Sequence, residues 1–352
     1  MNFEAKLMEV LKGMTTINKA AREDSRNRVD QLIKPKGSLG ALEEIVVQIA
    51  GIQGKLYPEI RKKAVIVMAG DHDIIEEGVA TSPKDITKIQ AINMTKGFTG
   101  VCALAKHAKA DVFVYDVAIE GEVACEAIRH HKVRNSTGNF YKGLAMSREE
   151  AAECILIGIE AVKQASLEGY DLLAAGEMGI GNTTPSSAIV SSITGSPSHL
   201  TTGMGANLPQ AQVIHKAEII QAAIDRLMPD SNDSLDVLSK VGGCEIGAMA
   251  GVMIGGAIYG IPVVIDGYIA WAAALLAEGL LPGAKAYWIA SHQSLEAGAQ
   301  IAAAHLGFKA YLNLGMRLGE GTGAVIMFSV IEAALSMNTN MITFEEASFI
   351  VD

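Results

Sequence analysis

The strongest constraint on this chain is a repeated pattern of short apolar runs, each ended by glycine or a polar residue and separated by longer helical stretches. Residues 64–69 run into Gly70-Asp71-His72, residues 111–117 into Ala118-Ile119-Glu120, and residues 172–175 into Gly176-Glu177-Met178-Gly179. Residues 263–266 follow, then 287–290 before Ser291-His292, and 310–314 before Gly315-Met316-Arg317. Strands that read as continuous apolar runs are covered on both faces, and their alternation with helices predicts an α/β fold with a largely parallel sheet. In such a sheet, functional groups gather where strand carboxyl ends meet helix N-termini. The conspicuous polar motifs of this chain fall at those places.

The spacing predicts a helix over 151–168, opened by the capping-box pair Ser147 and Glu150, and further helices over 209–222 and 322–335. Residues 228–239 gather Pro229, Asp230, Ser231, Asn232 and Asp233 and read as a surface loop. Residues 246–265 carry no charge and place Gly247, Gly251 and Gly255 four apart, long enough to span a bilayer. Gly260-Ile261-Pro262 interrupts them, so a buried helix followed by a short strand is expected and no membrane partner. A formal charge of −10, from 29 basic and 39 acidic residues, argues against a nucleic-acid surface. Four scattered cysteines without CxxC spacing read as reduced thiols, and the opening residues read as an amphipathic helix rather than a secretory signal, so a cytoplasmic location is expected.

Three segments can carry chemistry. Gly176-Glu177-Met178-Gly179-Ile180-Gly181-Asn182-Thr183-Thr184 joins a strand to a helix, where backbone N–H groups and the helix N-terminus favour an anion. It matches neither the dinucleotide fingerprint nor the Walker motif, which leaves a nicotinamide-dependent oxidoreductase without support. Gly315-Met316-Arg317-Leu318-Gly319-Glu320-Gly321-Thr322-Gly323 places a guanidinium fork near a glutamate between glycines. Desolvation beside an aromatic ligand would raise that glutamate toward the range of a general base. Asp71-His72-Asp73 invites a divalent metal, but no second compact cluster completes a site, so no metal ion is expected. Lys34-Pro35-Lys36-Gly37-Ser38-Leu39-Gly40 is a basic turn that suits either an anion pocket or the surface, and Lys216 lies on a predicted helix.

These segments, with Val241-Gly242-Gly243-Cys244-Glu245 and Asp266-Gly267, occur in an order and spacing that resembles the nicotinate-nucleotide–dimethylbenzimidazole phosphoribosyltransferase family over most of the chain. The resemblance implies a Rossmann-like sheet flanked by helices in a large domain over 31–324. A small helical domain would be assembled from both chain ends, 1–30 and 325–352. It implies transfer of the 5-phosphoribosyl group of nicotinate mononucleotide to 5,6-dimethylbenzimidazole, releasing nicotinate, without cofactor or metal, by a homodimer. Glu320 matches the catalytic general base. Glu177, Gly179, Ile180, Asn182, Thr183, Lys216, Arg317 and Gly319 match positions around the mononucleotide, while Asp71, His72 and Ser291 are expected at the base pocket or just behind it. Two departures bear on the acceptor. The pattern's Gly-Asp-His-Gly is Gly-Asp-His-Asp here, and residues 201–207 replace a more glycine-rich, acid-bearing segment. Adenine, another benzimidazole or a phenolic base is therefore the alternative acceptor, with a homologous partner subunit as a variant of that reading. A noncatalytic nucleotide-binding regulator is the alternative of another class, and the retained Glu320 and Arg317 argue against it.

Overall fold

The computed structural model describes residues 2–205 and 208–348. Ala206 and Asn207, in the departing glycine-bearing segment, and residues 349–352, at the end of the expected C-terminal helical part, lie outside the described residues. Six parallel strands form one sheet: β1 (Lys63–Gly70), β2 (Ala110–Ala118), β3 (Arg129–His130), β4 (Leu172–Met178), β5 (Val263–Ile265) and β6 (Trp288–Ala290), in the order β3-β2-β1-β4-β5-β6. The chain winds outward from β1 in one direction, then restarts at β4 and winds in the other. Between β1 and β4 the connections diverge, which leaves a crevice at the strands' carboxyl ends.

Both faces of the sheet are buried, which explains the unbroken apolar strands. Ala64, Ile66 and Met68 of β1 enter one core, and Val65, Val67 and Ala69 enter the other. The helices Arg148–Leu167, Cys244–Tyr259 and Tyr268–Leu280 cover the first face, while Ala41–Gln53, Gly100–Ala108 and Thr322–Asn340 cover the second. The N- and C-terminal regions meet: Ile33 donates its N–H to the Ile342 carbonyl at 3.0 Å, and Arg28 reaches the carbonyls of Asn338 and Met341.

Residues 246–265 divide as their glycine–proline break requires, into the buried helix Cys244–Tyr259 and β5. Their small residues serve close helix contact inside the protein. A Cβ on Gly251 would collide with the Ile155 carbonyl oxygen, and one on Gly158 would collide with that of Ala248. By length and composition Thr322–Asn340 could also cross a membrane, but 56% of its apolar window is buried in the protein. The Ser147–Glu150 capping box forms as the spacing predicts.

The structure corrects two local readings and adds one strand that the sequence does not mark. Residues 310–314 do not join the sheet, because only Leu312 forms a single parallel bridge, to His292, before the chain turns away at Gly315. β3 is too short, at two residues, to leave an apolar signature. Residues 228–239 are loop only at first: Asp233 accepts the N–H groups of Leu235 and Asp236 and opens the helix Ser234–Val241.

The contact between Arg148–Leu167 and Cys244–Tyr259 yields a stability test. Gly251→Ala forces its new methyl against backbone and should cost roughly 1–3 kcal/mol. Gly143→Ala, where an added Cβ meets nothing within 4 Å, should stay within about 0.5 kcal/mol. Urea unfolding midpoints compare the two, and equal midpoints would remove the close-contact explanation.

Candidate active site

The crevice between β1 and β4 opens into a cavity of about 370 Å³. Its lining includes Glu177, Gly179, Ile180, Asn182 and Thr183 from the end of β4 onward, and Arg317, Gly319 and Glu320 from the turn before Thr322–Asn340. Val79, Ala80, Ser82, Ile86 and Gln90 add a further wall.

Glu320 occupies the most constrained backbone position there. Its φ of 63° is left-handed, which costs an L-residue about 1–2 kcal/mol, and its two glycine neighbours share that half of φ space. The surroundings hold it in place. Its N–H donates to Glu177 Oε1 at 3.0 Å, and its carbonyl packs so closely on β4 that a Cβ on Gly176 would collide with it. The following turn is fixed from β5: Asp266 accepts the N–H groups of Gly321, Gly323 and Ala324 at 3.1, 2.7 and 3.0 Å. A carboxylate at a helix N-terminus satisfies donors that have no partner within the helix.

Glu320 Oε2 accepts the Val101 N–H at 3.0 Å, in the first turn of Gly100–Ala108, while its other oxygen has no hydrogen-bond partner among the described residues. Burial raises the Glu320 carboxyl above its ordinary 4.5, the Val101 N–H opposes that rise, and the Asp266 charge adds to it. Burial likewise pushes Glu177 to about 7, against the N–H of Glu320 and the Asn182 amide, which donates to Glu177 Oε2 at 2.5 Å. Asp266 is raised by burial and held down by His292 and its three N–H donors. Carboxyl groups so placed can accept a proton or face a developing positive charge.

A second polar cluster borders the cavity. Lys216 is fully buried, and its Nζ donates to Thr183 Oγ1 at 2.6 Å. Burial pulls its ammonium down to about 8, with the Glu296 charge opposing. Glu296 Oε1 accepts the Gly205 N–H at 2.9 Å, and Arg317 Nη1 donates to the Gly205 carbonyl at 3.4 Å. With the N-terminus of Thr183–Thr194, this cluster offers an anionic group two cationic side chains and oriented donors.

The crystal structure of CobT from Thermus thermophilus superimposes with a TM-score of 0.90 at 38% identity, covering 94% of this chain and 98% of that one. Two proteins named nicotinate-nucleotide–dimethylbenzimidazole phosphoribosyltransferase are each 45% identical to it. That of Clostridioides difficile aligns over 97% of this chain and 98% of its own length. An Escherichia coli protein aligns over 95% and 94%. The family model DBI_PRT, described as phosphoribosyltransferase, matches residues 14–349. The chain belongs to this family. It is an enzyme, a phosphoribosyltransferase of cobalamin biosynthesis.

Around the cavity of this phosphoribosyltransferase, four expected residues stand back from the lining. Lys216 Nζ donates to Thr183, which lines the cavity, and Ser291 lies behind His292, its Oγ donating to the Asp266 carbonyl at 3.2 Å. Asp71 and His72 lie beneath the loop after β4. Asp71 Oδ2 accepts the Glu120 N–H, and His72 Nε2 lies 2.8 Å from Glu245 Oε1. With Asp73 turned to Lys84 and Ser136, the three residues of this cluster face separate partners, and among the described residues no three potential ligands converge on a metal site. The basic turn at Lys34 is occupied by a buried ion pair with Glu43 at 2.8 Å. Asp266, Glu245, His292 and Glu296 were not among the expected site residues. Asp266 and Glu245 stand in the quoted motifs and His292 just after the apolar run 287–290, while Glu296 has no comparable local signal.

The Glu177 shift predicts a pH-dependent stability. The folded state holds this proton up to about 7, whereas the unfolded chain releases it near 4.5. Stability present below the unfolded value is thus lost as pH rises through this window, by roughly 3 kcal/mol from this group. Glu177→Gln should flatten that part of the profile in urea unfolding at pH 5 and 7.5. An unchanged difference between the two pH values would show that Glu177 does not titrate there.

Proposed function

We propose that the enzyme transfers the 5-phosphoribosyl group of nicotinate mononucleotide to 5,6-dimethylbenzimidazole, giving nicotinate and α-ribazole 5′-phosphate, with Glu320 as general base. The observation that carries this reading is the held, left-handed Glu320 at the cavity, whose buried carboxyl has one oxygen without a hydrogen-bond partner among the described residues. The names of the C. difficile, E. coli and T. thermophilus relatives support the substrate pair. In the proposed step, one acceptor ring nitrogen attacks C1′ while Glu320 takes the proton from the other. The C1′–nitrogen bond to the pyridinium breaks with its electron pair, leaving nicotinate neutral at that nitrogen. The leaving group therefore needs no acid, and attack from the opposite face inverts the β-riboside to α. Alignment in the crevice supplies much of the remaining acceleration.

Lys216, Arg317 and the backbone at Gly179 and Ile180 are the proposed contacts for the phosphate and the nicotinate carboxylate. Glu177, as an acceptor, suits ribose hydroxyls, with Asn182, Thr183 and Gly319 in support. Asp71, His72 and Ser291 are proposed to brace the loops rather than to touch substrate. Adenine, another benzimidazole or a phenolic base is the competing acceptor, a choice the Asp73 and 201–207 departures leave open. We place the enzyme in the cytoplasm as a homodimer.

The decisive assay supplies nicotinate mononucleotide with 5,6-dimethylbenzimidazole, adenine and phenol separately, and compares kcat/KM for α-riboside formation. Highest efficiency with dimethylbenzimidazole supports the main reading. Preference for another base transfers the proposal to that acceptor, and no product with any base, alone or with a homologous subunit, overturns it.

Glu320→Gln should retain mononucleotide binding and lose on the order of 10²–10⁴ in kcat, the span of general-base catalysis. Near-normal turnover by the folded variant would remove the proton-abstraction role. Arg317→Ala should raise the mononucleotide KM, and unchanged KM and kcat would argue against that contact.

A further inference from the structure

The wall over residues 79–85 has neither helix nor strand until Ile86–Thr95 begins, yet it contributes Val79, Ala80 and Ser82 to the cavity, followed by Ile86 and Gln90. With Met178, Ile180 and Leu318, it supplies much of the apolar lining, whereas the cationic groups cluster around Gly205. An aromatic acceptor suits the apolar part of this lining, and an anionic mononucleotide suits the cationic part.

Lys84 ties this wall to the sheet. Its Nζ donates to Asp73 Oδ1 at 2.5 Å and lies 2.9 Å from Glu120 Oε2. Asp73 Oδ1 also accepts the Ser136 hydroxyl at 2.6 Å, and the Asp73 N–H donates to the Thr137 carbonyl at 2.8 Å. The Lys84 side chain is only 18% exposed, so this network is less screened than an isolated surface pair. From Lys84 the connection continues inward. Its carbonyl accepts the Thr87 N–H at 3.0 Å, and the Thr87 hydroxyl accepts the Ile180 N–H at 3.0 Å. A shift of Lys84 therefore moves both the apolar wall and the loop after β4. Glycine at position 73 would leave Lys84 without its shortest partner.

We propose that Asp73 and Lys84 are positioning residues that fix the acceptor-base wall, so that their ion pair sets how tightly this enzyme takes its aromatic acceptor. This rests on the transfer reaction proposed above. Lys84→Met should raise the KM for the preferred acceptor roughly tenfold, the equivalent of one charge-assisted hydrogen bond, and leave the mononucleotide KM within about twofold. Lys84→Arg should restore most of the loss, and Asp73→Gly should reproduce Lys84→Met. Hydrogen exchange of the whole enzyme should show faster exchange over residues 79–90 in Lys84→Met. An acceptor KM unchanged in folded Lys84→Met, or a parallel rise in both KM values, overturns the proposal. If the wild-type enzyme uses none of the bases, the reaction proposed above fails by itself. Hydrogen exchange still reads the tether, and identical exchange over residues 79–90 in both proteins would overturn that too.

Discussion

The site depends on two buried carboxylates holding one turn. Glu177 takes the N–H of Glu320, and Asp266 takes those of Gly321, Gly323 and Ala324. Neither acid is near the turn in sequence. Each arrives at the end of a parallel strand, and the sheet order brings those ends beside the start of Thr322–Asn340. The left-handed Glu320 is tolerated only because both strands meet it with acceptors. If that support were lost, its φ could relax toward the ordinary range, and the carboxyl would leave the Val101 N–H and the cavity.

The same arrangement sets the electrostatics. Charged groups in a water-poor crevice are costly, and Glu177, Asp266 and Glu320 respond with raised carboxyl pKa values while Lys216 is lowered. Burial of these groups is unfavourable, and a ligand of matching charge can relieve it. A cation-like ribose would meet nearby carboxylates, and an anionic group would meet Lys216 and Arg317. Differential stabilisation of that kind accelerates a reaction when it grows toward the transition state. The proposed transfer has this charge pattern, with positive character developing at C1′ near the acids.

Much of this was legible in the sequence because parallel strands buried on both faces leave contiguous apolar runs. Five of the six expected runs are strands. The sixth, 310–314, has comparable local composition but gains one rung of pairing, which no residue in the run announces. Glycine-rich segments located both sides of the cavity because close backbone approach leaves no alternative residue at Gly176 and few at Gly321. Asp266 was less legible as a site residue. Its value lies in three donors more than fifty residues away, and only tertiary structure joins them. Asp71-His72-Asp73 draws attention as a cluster, yet its three side chains face separate partners, the Glu120 N–H, Glu245 and Lys84, which no local spacing announces.

The division of labour between sheet and loops also explains where variation can enter. Residues that hold the Glu320 turn are buried at strand ends, and changing them disturbs both backbone support and charge. The wall over 79–85 is different, because one partly exposed ion network secures it from outside the cavity. Under the proposal above, substitution at residue 73 acts on that wall through Lys84, and among the described residues Asp73 makes no hydrogen bond to Glu320, Glu177 or Asp266. On the proposed reaction, acceptor fit can therefore change while Glu320, raised above its ordinary pKa beside a helix N-terminus, stays the same. A transfer that kept one chemical step while its aromatic base changed would require that kind of separation, and in this chain the separation runs along the β1–β4 crevice.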